Sequence, residues 1–373
     1  NSFAGRTDIR EGALHGNTQS LTGSMITMLE DTALIFSQSG NGSFSGQILG
    51  FGMLHKVGTG ELHLTGSNNY TGGTVIHEGG LRGDTDSLHG NIDTGLSASN
   101  NLIFDQDSNG TFAGSVSGDG RLIKDGTGEV YLAGTTSHTG GTHILGGTLS
   151  GTTDNLRDFI VVYDNGRLEF DQDSNGSFDG ELRGTGSLIK DGTGAVTLTG
   201  DASNFTGQTD ILAGVLAVNG SLGGNITVSG GALKGTGTFG NVTTGQGGTF
   251  APGNSIGQSN AASVTFEAGS VFEVELNDGG FVPGVNHDAI HVTGSATLIG
   301  GTVHVTPDNG TDTGETYLPG TYTILTADGG VSGAFDGVTD DYVFLDFALD
   351  YDPSAVYLIS NRIAHFSDVA LTA

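Results

Sequence analysis

The sequence predicts an all-β chain wound into a parallel β-solenoid. Three observations point there. Long ordered phrases recur at a fixed spacing, the text between them alternates apolar and polar residues, and glycine is abundant while proline is scarce. Gly5, Gly72, Gly140 and Gly207 hold the same place in successive repeats, a period of 67 to 68 residues. Self-similarity at a fixed period marks units that stack on their neighbours. Read as three coils, one period gives roughly 22 residues per coil, room for two or three short strands and their turns.

Each repeat opens on a phenylalanine phrase: L-I-F-S-Q-S-G-N-G-S-F-S-G from Leu34, L-I-F-D-Q-D-S-N-G-T-F-A-G from Leu102 and L-E-F-D-Q-D-S-N-G-S-F-D-G from Leu168. A lysine phrase follows: L-H-K-V-G-T-G-E-L-H-L-T-G from Leu54, L-I-K-D-G-T-G-E-V-Y-L-A-G from Leu122 and L-I-K-D-G-T-G-A-V-T-L-T-G from Leu188. A threonine-glycine phrase closes the repeat at Asn69, Ser137 and Asn204, and the text from Ser2 is that phrase again. The sequence therefore starts in mid-repeat, as expected of a piece of something longer.

Stretches such as Glu129–Leu132 and Thr142–Leu149 alternate with period two and are bounded by G-G, G-T-G or D-G, so they read as strands. No helical period stands out before the last dozen residues. Phe36, Phe104 and Phe170 share one aligned column, Phe44, Phe112 and Phe178 a second, Leu64, Leu132 and Leu198 a third, and Ile76, Ile144 and Ile211 a fourth. These columns are expected to stack along the core. Glycine then supplies the corners, where φ is positive or two backbones approach closely. Scarce proline keeps every strand able to donate to its neighbour.

Composition excludes other classes. Glycine is 68 of 373 residues but proline only 5, and glycine is not at every third position, so collagen is out. Hydrophobic residues at 35% and charged residues at 14% argue against wholesale disorder. Without cysteine there is no disulfide scaffold. A formal charge of −29 opposes nucleic-acid binding through a basic surface. No apolar run is long enough for a transmembrane helix, and residues 1–10 read as turn and strand rather than as a signal peptide.

The string L-x-K-x-G-x-G-x-L-x-L-x-G…N-Y-T-G-G-T at Leu54–Thr74, with its copies at Leu122–Thr142 and Leu188–Thr209, resembles the passenger-associated repeat of bacterial autotransporters, the type V secreted surface proteins. G-G-A-L-K-G-T-G-T-F-G-N-V-T at Gly230, G-G-T-F-A-P-G-N-S-I-G at Gly247, P-G-T-Y-T-I-L-T-A-D-G-G-V-S-G-A-F at Pro319 and Y-D-P-S-A-V-Y-L at Tyr351 resemble the later part of such passengers. The resemblance implies a right-handed parallel β-helix. It divides the chain into repeats over residues 1–220, three coils each, a C-terminal capping, autochaperone-like β region over 221–360, and over 361–373 the start of a linker to a β-barrel translocator absent from this sequence.

Several motifs suggest chemistry. Asp105, Asp107, Asn109 and Gly110 form D-x-D-x-N-G, repeated at Asp171, Asp173, Asn175 and Gly176, which is the first half of a calcium loop. The twelfth position, which needs a bidentate glutamate, is Val116 or Leu182, and the competing reading is an Asx-rich corner. Calcium through these six side chains is the one cofactor expectation. Arg82, Gly83 and Asp84 spell R-G-D, the integrin-recognised tripeptide, at a corner whose residues vary between repeats. Ser255 lies in G-x-S-x-G, and Gly235, Gly237 and Gly240 in G-x-G-x-x-G, but no helix follows either. The adjacent carboxylate pairs are duplicated, which argues against a single glycan-cleaving centre. His287 and His291 are a weak metal hint in strand-like text. His138 aligns with Tyr70 and Phe205 and is expected to pack as an aromatic. Lys56, Lys124 and Lys190, three of four lysines, read as cations offsetting an acidic exterior.

The expected function is a non-catalytic, surface-exposed passenger, a stalk acting in adhesion or self-association, on the outer membrane or secreted. The alternative is the stalk of a subtilase or esterase autotransporter whose catalytic domain lies upstream. Expected partners are a host-cell or matrix receptor, a glycan, a like passenger on a neighbouring cell, and the chain's own translocator, with no nucleic acid.

Overall fold

The computed structural model describes residues 5–308 and 314–363. The expected linker therefore lies mostly outside the described residues. Every regular element among those described is a strand, and nearly all pairing is parallel. The fold is the expected parallel β-helix. The chain forms two compact units, residues 1–171 with 178–187, and residues 172–177 with 188–373.

In the first unit the chain visits three ladders in turn. One is built by Ala13–Gly16, Ala33–Ser37, Met53–Val57, Thr74–Ile76, Ile92–Asp93 and Val116–Ser117. A second runs from Gly42–Phe44 through Glu61–Leu64, Gly80–Gly83, Asn101–Asp105 and Arg121–Asp125 to the start of Thr142–Gly151. A third includes Gly110–Phe112, Glu129–Leu132, the end of Thr142–Gly151 and the end of Ile160–Asp171. Alternate side chains point inward and are sealed off: Leu34, Phe36, Leu54, Leu102 and Phe104 have no exposed area. The two phenylalanines of each opening phrase meet across a corner, with ring centroids 5.2 Å apart for Phe36–Phe44, 5.0 Å for Phe104–Phe112 and 5.5 Å for Phe170–Phe178. Each such pair contributes about 0.5–1.5 kcal/mol beyond its buried area.

The register corrects two expectations. Leu54 stacks beneath Thr74, then Ile92, then Val116, so three coils above Leu54 stands Val116 and not its repeat equivalent Leu122. Leu122 belongs to the second ladder, between Leu102 and Thr142. Phe36 pairs with Lys56 on the first ladder, Phe104 with Lys124 on the second, and Phe170 with Gly151 on the third. The aligned columns thus do not stack on themselves. Coil-to-coil bonds typically join residues 20 apart. One repeat therefore exceeds three coils by about one side, and each copy moves to the next face.

The lysine corner is the second correction. Lys56, Lys124 and Lys190 are fully buried, not surface cations. The Lys56 ammonium donates to the carbonyls of Gly58 at 2.6 Å, Glu78 at 2.9 Å and Val57 at 3.2 Å. Lys124 donates to Asp125 at 2.6 Å and to Gly126 and Gly146 at 3.2 Å. Lys190 reaches the carbonyls of Asp191, Gly192 (2.8 Å) and Ala213 (3.3 Å). The glycine two residues on turns the chain at positive φ: +82° at Gly58, +77° at Gly126 and +74° at Gly192. A Cβ on Gly126 would stand 2.6 Å from the Gln106 carbonyl oxygen, so no other residue fits there without strain.

The second unit continues in the same manner. Ala195–Leu198, Val215–Val218, Ala232–Gly235, Thr249–Pro252, Val271–Leu276, Thr302–Pro307 and Gly337–Asp340 stack as one parallel ladder. The Asn277–Asn286 segment leaves the coil and is closed by an antiparallel bridge between Leu276 and His287. Ala355–Arg362 ends the described chain. It runs antiparallel to Gly320–Ala327 and Leu345–Asp352, the two antiparallel strand ladders described. Such pairing covers the edge of the parallel strand Gly320–Ala327.

Lys124→Met leaves buried carbonyls without a donor and is expected to lower the unfolding free energy by about 2 kcal/mol, read by denaturant titration. Burial pulls the Lys56 and Lys124 ammonium groups down to about 8, against the pull of Glu78 and Glu61 on the first and of Asp125, Asp105 and Asp107 on the second. Between that value and the ordinary 10.5 the unfolded chain binds more protons, so stability rises with pH across this window. Burial holds the Tyr70 phenol up at about 12, which opposes the trend once free tyrosines ionise near 10. Thermal midpoints are therefore expected to climb between about pH 8.5 and 9.5, above the range where Asp288 ionises, and to climb less in the Lys56→Met/Lys124→Met variant.

Candidate functional site

The polar motifs converge on the coil corners, and there most of their atoms are committed to the next coil. Asp107 accepts the Thr127 backbone N–H at 3.1 Å and its hydroxyl at 3.3 Å, and Asn109 accepts the Glu129 N–H at 3.1 Å. The second copy repeats this, with Asp173 accepting both donors of Thr193 at 2.9 Å and Asn175 accepting the Ala195 N–H at 2.9 Å. The Thr193 bonds hold the Asp173 carboxyl below its ordinary pKa. Asp105 turns instead to Arg82, and Asp171 is exposed. In the first repeat Asn41 accepts the Glu61 N–H at 2.9 Å, which shows that the corner is built without any carboxylate. Among the described residues no three His, Asp or Glu side chains gather as a metal-holding group.

R-G-D lies on a sheet, not on a free loop. Arg82 is on the second ladder, its guanidinium 2.9 Å from Glu61, 3.1 Å from Asp105 and 3.4 Å from Asp125, with its side chain 24% exposed. Burial alone would lower the Arg82 pKa, and Glu61 and Asp105 raise it overall. Gly83 is buried against Ser87 and Leu88, and Asp84 accepts the N–H groups of Asp86 and Ser87 at 3.1 and 2.8 Å. The tripeptide is a cross-coil ionic rung followed by an Asx turn.

The remaining motifs also separate. Ser255 donates to Asp308 at 2.5 Å, without a histidine between them and without a helix behind it. His287 is buried with Nε2 3.0 Å from the Thr323 carbonyl, whereas His291 faces Asp328 at 3.5 Å. His138 is buried and bonds Thr142 at 3.0 Å, as Tyr70 bonds Thr74 at 2.9 Å, so it fills the aromatic place expected of it.

Two groups escaped the sequence. Gln38, Gln106 and Gln172 are the buried middle residues of each S-x-S or D-x-D stretch and bond the corner carbonyls of Gly40, Ser108 and Ser174 at 3.0, 2.7 and 2.8 Å. Their recurrence in one column was the available signal. Asp288, 1% exposed, accepts the N–H groups of Gly257 at 2.8 Å and Glu275 at 2.9 Å, closing the Asn277–Asn286 excursion. Burial pushes its carboxyl up to about 8 against those two bonds. Its two partners are remote in sequence, so no local pattern marks it.

A parallel β-helix whose corners are tied by repeated polar phrases is the class defined so far. The passenger-associated-transport-repeat family matches residues 54–82, 122–150 and 188–218. An extracellular serine protease of Serratia marcescens is 34% identical over 204 residues, covering 52% of this chain and 19% of that protein. A second extracellular serine protease of that organism is 32% identical over 216 residues, covering 56% of this chain and 20% of its own length. The adhesin BmaC autotransporter of Brucella suis biovar 1 (strain 1330) is 32% identical over 250 residues, 60% of this chain and 6% of that protein. The chain thus spans a fifth or less of these relatives. Three such repeats on this fold, with these relatives, support reading the chain as autotransporter passenger sequence. Its localisation is the bacterial surface or the secreted fraction.

With Asp105, Asp107 and Asp173 already bonded, calcium titrated into the chain is expected to release the same heat as into a variant carrying Asn at positions 105, 107, 171 and 173. A saturable difference in calorimetry would restore the calcium loop.

Proposed function

We propose that this chain is the non-catalytic stalk of a passenger and that its outer faces act in adhesion or self-association. The observation that supports this best is the fate of its polar motifs. Serine, aspartate and asparagine side chains that resemble sites in the sequence are bonded from coil to coil, which stabilises a repeating scaffold. A scaffold of this kind presents long rows of Thr, Ser, Asn and Asp to a glycan or to a like chain. The adhesin relative accords with that use.

The second reading keeps the stalk and moves the activity upstream. It is favoured by the two serine proteases, which align with this chain over only a fifth of their length. In that case these residues hold a catalytic domain away from the cell and carry no active group.

The chain displayed on otherwise non-clumping bacteria is expected to accelerate their sedimentation. Unchanged settling, together with a protease domain directly preceding Asn1, would remove the adhesive reading and leave the enzyme stalk.

A further inference from the structure

We propose that the outward surface around Tyr163, Phe159 and His143 binds an acidic saccharide, with Arg121 as the partner of its carboxylate. This rests on the adhesive reading above and names the ligand class.

The register builds the patch. Ile123, His143 and Val161 lie side by side on the outer face of three consecutive parallel strands. The His143 and Tyr163 rings are 6.0 Å apart and 25° from parallel, with Nδ1 3.2 Å from the phenol oxygen. Phe159 meets His143 edge-on at 6.2 Å. The Arg183 guanidinium lies over the Phe159 ring at 5.3 Å and is itself bonded to Glu181, so it fixes the ring and is not free for a ligand. Tyr163 is 42% exposed. These rings form a continuous platform on the outer face of these strands.

Arg121 supplies the second observation. Arg6, Arg10, Arg82, Arg157 and Arg183 each stand within ion-pair distance of a carboxylate, whereas Arg121, like Arg167 and Arg362, has no such partner among the described residues. Its Nε is shielded from solvent and makes no hydrogen bond. It lies close enough to His143 to act on it electrostatically. In a chain of formal charge −29, a guanidinium without a carboxylate partner beside a platform of rings favours an anionic group.

The chemistry selects a saccharide. A pyranose ring offers a C–H face to stack on aromatic rings, hydroxyls for His143 and Tyr163, and, if it is a uronate, a carboxylate for Arg121. A peptide strand has no free edge to join, because the strands here are paired on both sides. A nucleic acid would meet one arginine on a strongly acidic surface.

The test uses the purified full chain, sodium polygalacturonate as the acidic probe and dextran as the neutral one, by calorimetry at low salt. Polygalacturonate is expected to bind and dextran to bind far more weakly. Tyr163→Ala and Arg121→Gln should each weaken binding about tenfold or more, while Tyr163→Phe, which keeps the ring, should stay within about threefold. All variants should retain the parent thermal midpoint. Absence of polygalacturonate binding, equal binding of dextran, or binding indifferent to Tyr163→Ala in a folded variant would each overturn the assignment. Clumping by displayed cells that persists without saccharide binding would overturn this patch alone and leave the adhesive reading standing.

Discussion

The buried ammonium at the coil corner is the interaction on which the rest depends. A flat ladder satisfies its own N–H and C=O groups through the coils on either side. A corner cannot, because the backbone turns and its carbonyls lose those partners. In this chain Lys56, Lys124 and Lys190 reach inward and gather such carbonyls from two successive coils. Gly58, Gly126 and Gly192 make the turn at positive φ. The buried glutamines serve the preceding corner in the same way. Removing a charge from water is costly, so the ammonium is retained there only because three oxygens replace its hydration.

Because the motif serves a corner rather than a face, it fits equally well at any of the three. This explains why the sequence repeat does not equal a whole number of coils. Each copy carries its phenylalanine pair and its corner groups to the next side, and the core stays filled because the three sides present the same alternation of sealed residues. The phase shift also puts Lys56 and Lys124 on different ladders, so these two buried ammonium groups do not stack and their mutual repulsion stays small.

The same logic bears on function. Where a corner group is bonded into the scaffold, it is lost to solution chemistry, and what remains for recognition is the outward face of each ladder. Most of that surface is polar or carboxylate-rich, and Arg82 is held among three acids. The platform at His143 and Tyr163 differs in both charge and polarity. A passenger repeat can thus vary outward positions freely while its corner phrases remain unchanged, which suits a scaffold carrying different surfaces.

Strand positions, the sealed phenylalanines and the role of His138 were legible in the sequence, because alternation and aligned phrases depend on local text. The lysines were misread because a lysine followed by Asp125 or Asp191 looks like a solvated pair, and nothing local shows carbonyls arriving from the next coil. The ionic partners of Arg82 escaped the sequence for the same reason, since Glu61 and Asp125 come from other coils. The phase shift was invisible because alignment alone cannot say how many sides one period contains. That shift is the central structural claim, and spin labels placed in this cysteine-free chain test it directly. His55 and Ser117 share the outward row of the first ladder three coils apart, through Val75 and Asp93. Their backbones should be separated by about 14 Å at about 4.8 Å per coil. His55 and its repeat equivalent Ile123 lie on different ladders and should be farther apart. A shorter distance from His55 to Ile123 than to Ser117 would show a repeat of three whole coils and contradict the account.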